Sequence, residues 1–388
     1  MLKNNQSRQA LQNVKSRILQ AASPTPNYIP KRHKSATSPK SRAPQIIFSG
    51  IQPTGIPHLG NYLGALQNWV RLQDTAEPST KLFYSIVDLH AITVPQGKEE
   101  LKRWKRESLA TLLAVGLDPE RSTVFYQSSV AAHSELMWIL SCTASMGYLS
   151  RMTQWKSKLS LEDDASPLDG GNKSKLKLGL FSYPVLQAAD ILVHRATHVP
   201  VGEDQTQHLE FARECVTNFN HAYGPHLVAP QTILSPTKRI MSLQTPTQKM
   251  SKSHPSPLSR ILLTDTPETT TKKISSALTD SQNNVSYSPS ERPGVTNLLT
   301  LWSSFDTQAP KRSAEQIGEE CRAKNLTLKD LKRETADAVN AGLEGIRKGY
   351  EMVLGDEGYV EEVARKGGIR ARENAEETMV KVREAIGF

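Results

Sequence analysis

The segment QIIFSGIQPTGIPHLGNYLGAL, residues 45–66, constrains the fold more than any other part of the chain. It opens on an apolar run (Ile46, Ile47, Phe48) and passes through Gly50, Pro53, Gly55, Pro57 and Gly60. From there Tyr62, Leu63, Leu66, Trp69 and Val70 recur at a spacing near 3.6. A strand, a glycine-rich turn and a helix starting near Asn61 let a ligand lie against backbone, and unpaired N–H groups at a helix start attract anions. GxxxxGK[ST] occurs nowhere and GxGxxG is not met, so this segment alone leaves both a nucleotide loop and a plain tight turn open.

The alternation continues. Leu82–Val87, ending at Asp88, and Thr123–Tyr126 read as strands with helical stretches between them. That order predicts an α/β fold with a Rossmann-like parallel sheet, whose ligands bind at the carboxyl ends of its strands. The loops after Phe48, Val87 and Val201 are therefore the places to look. Residues 158–177 are polar and read as an exposed insertion. Past Pro257 the period becomes helical throughout: Leu328, Leu331, Val339, Leu343, Ile346, Tyr350 and Val353, then Met379, Val382 and Ile386. The expected organisation is a tail over 1–44, an α/β domain over 45–257 and an all-helical domain over 258–388.

The net charge of +9 suggests nucleic acid until it is located. Residues 1–45 hold nine Lys or Arg and no Asp or Glu, which leaves 39 basic against 39 acidic residues in the remainder. The excess lies wholly in the tail. Leu11, Val14, Ile18 and Leu19 recur there at helical spacing among Arg8, Lys15 and Arg17, the amphipathic basic composition of a mitochondrial transit peptide. Residues 23–44 read as a disordered spacer. A basic tail that grips RNA is the alternative. Three well-separated cysteines (Cys142, Cys215, Cys321) argue against a disulfide framework and suit a reducing compartment. No apolar run approaches the roughly 20 residues of a membrane span, so no membrane partner is expected.

A second element is KMSKS, Lys249–Ser253, in a polar, Pro-flanked segment. Two lysines and two hydroxyls on a loop can neutralise charge developing on a triphosphate as it is cleaved.

HLGN (58–61) resembles the HIGH signature, and KMSKS the second signature, of class I aminoacyl-tRNA synthetases. FSGIQPTG (48–55), VDLHAIT (87–93), AVGLDP (114–119), RMTQWK (151–156), YPVLQAADIL (183–192), VPVGEDQTQH (199–208) and RIMSLQTPTQKMSKS (239–253) narrow the resemblance to tryptophanyl-tRNA synthetases of the bacterial and organellar type. It runs from about Ile46 to the C-terminus and weakens in the helical part.

The resemblance implies ATP, with Mg²⁺, held by Gln52, Pro53, Thr54, Gly60, Asn61, Gly202, Glu203, Asp204, Ile240 and Lys249, Met250, Ser251, Lys252 and Ser253. His58, Lys249 and Lys252 would be catalytic. Asp190 sits where the family reads the indole N–H, a donor with no acceptor capacity. Phe48, His90, Val199 and Val201 match positions lining the amino-acid pocket, and Gln187 stands where bacterial relatives often carry Met. Lys158 aligns with a pyrophosphate-contacting lysine, beside the insertion. L-tryptophan and tRNA(Trp) are the implied substrates, a homodimer the implied assembly, and the mitochondrial matrix the implied compartment. The C-terminal helices would read the anticodon, with Lys329, Lys332, Arg333, Arg347 and Lys348 as contacts or merely as a solvated face.

His194 and His198 have the i, i+4 spacing of a helical metal pair, but Arg195 stands where a zinc protease needs Glu, so no metal is expected. Two rivals remain. A tyrosyl-tRNA synthetase would share the fold. A noncatalytic organellar RNA-binding or splicing factor could keep the scaffold, although such a protein would be free to lose KMSKS.

Overall fold

A computed structural model describes residues 44–159, 162, 176–202, 205–234, 239–252 and 254–388. The expectations for the tail, for most of the 158–177 insertion, and for Glu203, Asp204 and Ser253 fall outside these residues.

Five parallel strands form one sheet in the order β3-β2-β1-β4-β5. They are β1 (Ile46–Ile51), β2 (Lys81–Ile86), β3 (Thr123–Tyr126), β4 (His198–Val201) and β5 (Gln231–Leu234). The first three match the strands expected from sequence within three residues. The chain winds outward one way through β2 and β3, then returns to the other side of β1 for β4 and β5. The carboxyl ends of β1 and β4 thus flank the point where strand order reverses, the crevice where open α/β sheets bind ligands. Gly50 is the penultimate residue of β1, and Gly202 follows β4.

Alternation along each strand sorts its side chains between two faces. Ile47, Leu82, Tyr84, Ile86 and Val124 face a cluster with Leu59, Leu63, Leu66, Trp69, Leu109, Leu298, Val339 and Ile346. The Trp69 ring stacks on Tyr84 at 4.9 Å, and the Tyr84 hydroxyl donates to the Trp69 carbonyl at 3.1 Å. Phe48, Phe83, Phe125 and Val199 belong to the other cluster, with Leu136, Val185, Ala189, Phe211, Met379 and Val382. Each large side chain so buried contributes about 1.5–3 kcal/mol.

The helix after the glycine loop begins at Leu59 rather than near Asn61, because His58 caps it. It runs on through a π-helical turn (Tyr62–Leu66) into Gln67–Thr75. Beyond 257 the main elements are the expected helices: Pro267–Ser275, Pro293–Ser304, Ala314–Ala323, Leu328–Gly355 and Glu357–Ile386. Thr327 and Asp330 form a reciprocal capping box at the start of the fourth. Both hydrophobic clusters run across residue 257, so the change there is one of secondary structure within a continuous core.

The last helix returns to the sheet and covers its β3 edge. A Cβ at Gly367 would lie 1.8 Å from the Val124 carbonyl oxygen, so only glycine permits this approach. Arg383 clamps the Ala132–Ser141 helix through a bidentate pair with Glu135, at 2.7 Å on each oxygen.

Candidate active site

At the carboxyl end of β1, His58 is buried and serves as a helix cap. Its backbone N–H donates to Asn61 Oδ1 at 3.1 Å, and its Nδ1 accepts from the Asn61 backbone N–H at 3.3 Å. With Nδ1 accepting, the ring proton resides on Nε2. Burial, reinforced by the charges of Lys252, Arg260 and Lys249, pulls its pKa down to about 3. His58 is therefore a neutral donor at physiological pH. A Cβ on Gly60 would come 2.9 Å from His58 Cε1, so the glycine makes room for this ring over the first helical turn.

The KMSKS segment is rooted by its methionine. Met250 and Ile240 are buried, and the Met250 N–H donates to the Ile240 carbonyl at 3.0 Å. Met241 and Lys249 pair as an isolated antiparallel bridge. Lys252 Nζ donates to the Gly55 carbonyl at 2.6 Å, at a residue whose φ of +97° suits glycine. Burial, with help from Arg260, lowers the Lys252 pKa to about 8. The loop's continuation is laced to the same place, with Leu59 N–H bonded to Ile261 O at 2.9 Å and Leu263 N–H to Pro57 O at 3.0 Å. Gln52, Pro53 and Thr54 form the turn between, where the Thr54 N–H bonds the Gln52 carbonyl at 3.0 Å. Lysines, a neutral imidazole donor and a helix start thus converge on one spot, an arrangement able to stabilise anionic oxygens.

Deeper in the crevice, Asp190 projects from the Leu178–Leu192 helix and is 1% exposed. Its Oδ1 accepts from Gln127 Nε2 at 2.7 Å and from His133 Nδ1 at 2.6 Å, and its Oδ2 from His90 Nε2 at 2.8 Å. Burial alone would raise its pKa, but the bonds from His133 and His90 outweigh that and hold the carboxyl well below the usual range. An ionised carboxylate offers about four lone-pair sites. Three are taken, and the remaining one, on Oδ2, can accept one more N–H.

The other expected pocket residues assemble on the same face. Phe48 is buried and stacks with His194 at 5.7 Å. Val199 is buried and Val201 half-buried on β4. Gln187, one turn before Asp190, donates to Gln205 Oε1 at 3.3 Å. Beside it a polar wall forms: the Tyr183 hydroxyl donates to Gln154 Oε1 at 2.9 Å and lies 2.8 Å from His208 Nε2. Since the hydroxyl has one proton, His208 Nε2 must be the donor to it. Lys158, at the end of the Thr153–Lys158 helix, holds its Nζ 4.9 Å from the centre of the Tyr183 ring.

Gln127, His133, Tyr183, Gln154, His208 and Arg260 were not singled out from the sequence. For Gln127 a signal existed, because it follows β3 at its carboxyl end. His194 and His198 do not act as a pair: His194 Nδ1 bonds Asn374 Oδ1 at 2.9 Å and His198 Nδ1 bonds Thr197 Oγ1 at 2.9 Å. Among the described residues no three His, Cys, Asp or Glu side chains group as a metal cage.

Known proteins resemble the chain over most of its length. A family profile described as tRNA synthetases class I (W and Y) matches residues 40–344. The mitochondrial tryptophan–tRNA ligase of Saccharomyces cerevisiae is 43% identical over 348 residues, covering 88% of this chain and 90% of the yeast protein. The mitochondrial counterpart from Schizosaccharomyces pombe is likewise 43% identical, over 88% of this chain and 95% of its own. The tryptophanyl-tRNA synthetase of Mycoplasma pneumoniae superposes with a TM-score of 0.76 at 34% identity, over 89% of this chain and 98% of that one. The Campylobacter jejuni synthetase, solved with ADP and tryptophan, gives 0.73 at 30% identity, over 89% of this chain and all of that one, 100%.

Proposed function

We infer that this chain, which belongs to the class I tRNA synthetases of the tryptophan and tyrosine group, is a tryptophan–tRNA ligase. It activates L-tryptophan with ATP and esterifies tRNA(Trp). In the first step the tryptophan carboxylate attacks the α-phosphorus of ATP. The bond to the bridging oxygen breaks, giving tryptophanyl adenylate and pyrophosphate. In the second, a ribose hydroxyl of the tRNA's terminal adenosine attacks the adenylate carbonyl and AMP leaves.

The observation that carries the choice of amino acid is the buried carboxylate of Asp190, held by three donors with one acceptor site to spare. An indole N–H satisfies that site, whereas phenylalanine leaves it unpaired, and a site built to bond one polar group discriminates strongly on that ground. No side chain needs to become a covalent nucleophile. Lys249, Lys252 and the Nε2–H of His58 would steady the charge that builds on the phosphates, while the glycine loop and Gln52–Thr54 position the nucleotide. Mg²⁺ would arrive as MgATP, held by phosphate oxygens, the usual mode for this ion.

The compartment we favour is the mitochondrial matrix, supported by the composition of the basic tail and by the two yeast relatives. We favour a homodimer, supported by large apolar side chains exposed on consecutive helices, Trp138 at 72% and Met146 at 66%. No helix among the described residues is long and apolar enough to cross a membrane. The domain over 258–388 would read the anticodon. Lys332 and Arg347 serve helix packing, with Lys332 Nζ on the Ser275 and Ala277 carbonyls and Arg347 on Thr270 and Asn340. A cleft of about 490 Å³ on that face is edged by Lys329 and Arg333, with Asp337 also on its rim, and the two cations support RNA contact there.

ATP–pyrophosphate exchange with tryptophan, tyrosine and phenylalanine in turn is the test. Exchange with tryptophan alone is expected. Exchange with tyrosine would overturn the specificity, and none with any of them, from folded protein, would favour a noncatalytic RNA-binding role.

A further inference from the structure

We propose that His194 and Asn374 are positioning residues for amino-acid selection, by which the C-terminal helix holds the carboxylate that reads the indole. The proposal rests on the assignment of Asp190 above.

The argument follows a chain of buried contacts. Asp190 is ionised and can only accept, so His133 presents Nδ1–H to it at 2.6 Å. The opposite ring nitrogen of His133, Nε2, is buried without a hydrogen-bond partner. Its ring meets that of His194 instead, edge against face, with centroids 5.1 Å apart and planes at 64°. His194 is fully buried, stacked on Phe83 at 4.7 Å and 15°, and closed from the side by Phe125 at 5.6 Å and 76°. This aromatic slot fixes the plane of the ring but leaves it free to turn over within that plane. What selects one orientation is the bond from Nδ1 to Asn374 Oδ1 at 2.9 Å.

Asn374 lies on the Glu357–Ile386 helix, 180 residues from His194. That helix grips the scaffold of the same cluster. Gly367 abuts β3 at Val124, Gly368 abuts Ser129, two residues from Gln127, and Arg383 holds Glu135, two residues from His133. A phenylalanine at 194 would fill the slot without any buried polar atom. A histidine there instead buries its Nε2 without a partner, and what that cost obtains is the directional bond from Nδ1 to Asn374, which specifies one arrangement where apolar packing tolerates several. Any tilt of His194 is passed to His133 by hard contact, and from there to the carboxylate.

The experiment measures exchange kinetics of Asn374→Leu, His194→Phe and Asp190→Asn, each with its melting temperature. Asn374→Leu and His194→Phe are expected to raise the tryptophan KM on the order of tenfold, the size of one weakened hydrogen bond to a charged group. The KM for ATP should stay unchanged, and preference for tryptophan over phenylalanine should fall. Asn374→Asp, which keeps an acceptor facing Nδ1, should restore most of the tryptophan KM. Should Asn374→Leu not fold, the smaller Asn374→Ser and His194→Phe decide the matter. A lowered melting temperature with unchanged tryptophan KM and unchanged preference would overturn the proposal and leave the pair a merely structural contact. If Asp190→Asn itself leaves tryptophan kinetics intact, it is the assignment of Asp190 that fails. If Asp190→Asn impairs selection while the variants at 194 and 374 do not, only the positioning role fails.

Discussion

Lys252 Nζ donates a 2.6 Å hydrogen bond to the carbonyl oxygen of Gly55, 197 residues earlier. The second signature motif is thereby hooked to the loop of the first, and the two halves of a phosphate site become one object. Triphosphate oxygens offer that ammonium a stronger, charged acceptor than a carbonyl. The bond is thus poised for exchange when a nucleotide enters.

Replacing Lys252 or Lys249 by Ala should slow adenylate formation by about 10²–10³-fold, the usual loss when one preorganised transition-state contact is removed. Tryptophan KM should hardly move. Single-turnover kinetics separate the two, and a defect confined to tryptophan binding would remove these lysines from the chemistry.

The Lys252 pKa of about 8 carries a sign. Its cation is present below that pH and lost above it, so kcat/KM for ATP should fall as pH rises through 8. Lys252→Arg should move this basic limb upward, because guanidinium stays charged. An identical limb in the Arg variant would assign it to another group.

Asp190→Asn should raise the tryptophan KM steeply and also destabilise the fold. The amide oxygen can still accept from Gln127 and His133, but the amide NH2 then faces the His90 Nε2–H, and such an ill-matched buried donor costs about 1–3 kcal/mol. Urea unfolding alongside exchange kinetics would report both effects.

His58 and His194 are buried neutral, each with a pKa lowered to about 3 from an ordinary 6.5. Burial is the main cause in both, followed by the Lys252 cation for His58 and by His133 for His194. Because the folded state resists a proton that the unfolded state accepts, their stabilisation is present above pH 6.5 and lost as pH falls toward 3. Each adds up to about 1.4 kcal/mol per pH unit to the slope of stability in that window. His194→Phe should flatten the slope by one such increment, read from urea midpoints between pH 6.5 and 4.

Gly367→Ala should lower stability by about 1–3 kcal/mol or more, because overpacking forces backbone to move. The obstacle is the Val124 carbonyl at 1.8 Å, and a carbonyl in a sheet cannot turn aside as a side chain can. Thermal melting would show it; an unchanged midpoint would mean that the last helix does not dock as described.

Much of the site was legible because its chemistry is local in the chain. The glycine loop, HLGN, KMSKS and the Asp190 segment are short runs whose residue types suit phosphate and indole whatever surrounds them. Strand–helix alternation carried the sheet, since the period of a strand and of a helix are properties of consecutive residues. The HLGN motif marks His58 as a candidate catalytic residue, but its being a neutral helix cap depends on Gly60 making room for its ring and on Lys252, Arg260 and Lys249 surrounding it.

By itself, then, the sequence determined the fold class, the positions of the first three strands and the two signature loops, because period, glycine and charge act over a few neighbouring residues. Only the tertiary structure decided who holds the carboxylate. Gln127 and His133 reach Asp190 across 63 and 57 residues, and Asn374 reaches His194 across 180. Such partners leave no periodic trace: a buried polar atom takes whichever donor the folded sheet and the returning helix bring to it, and that choice exists only once the core has closed.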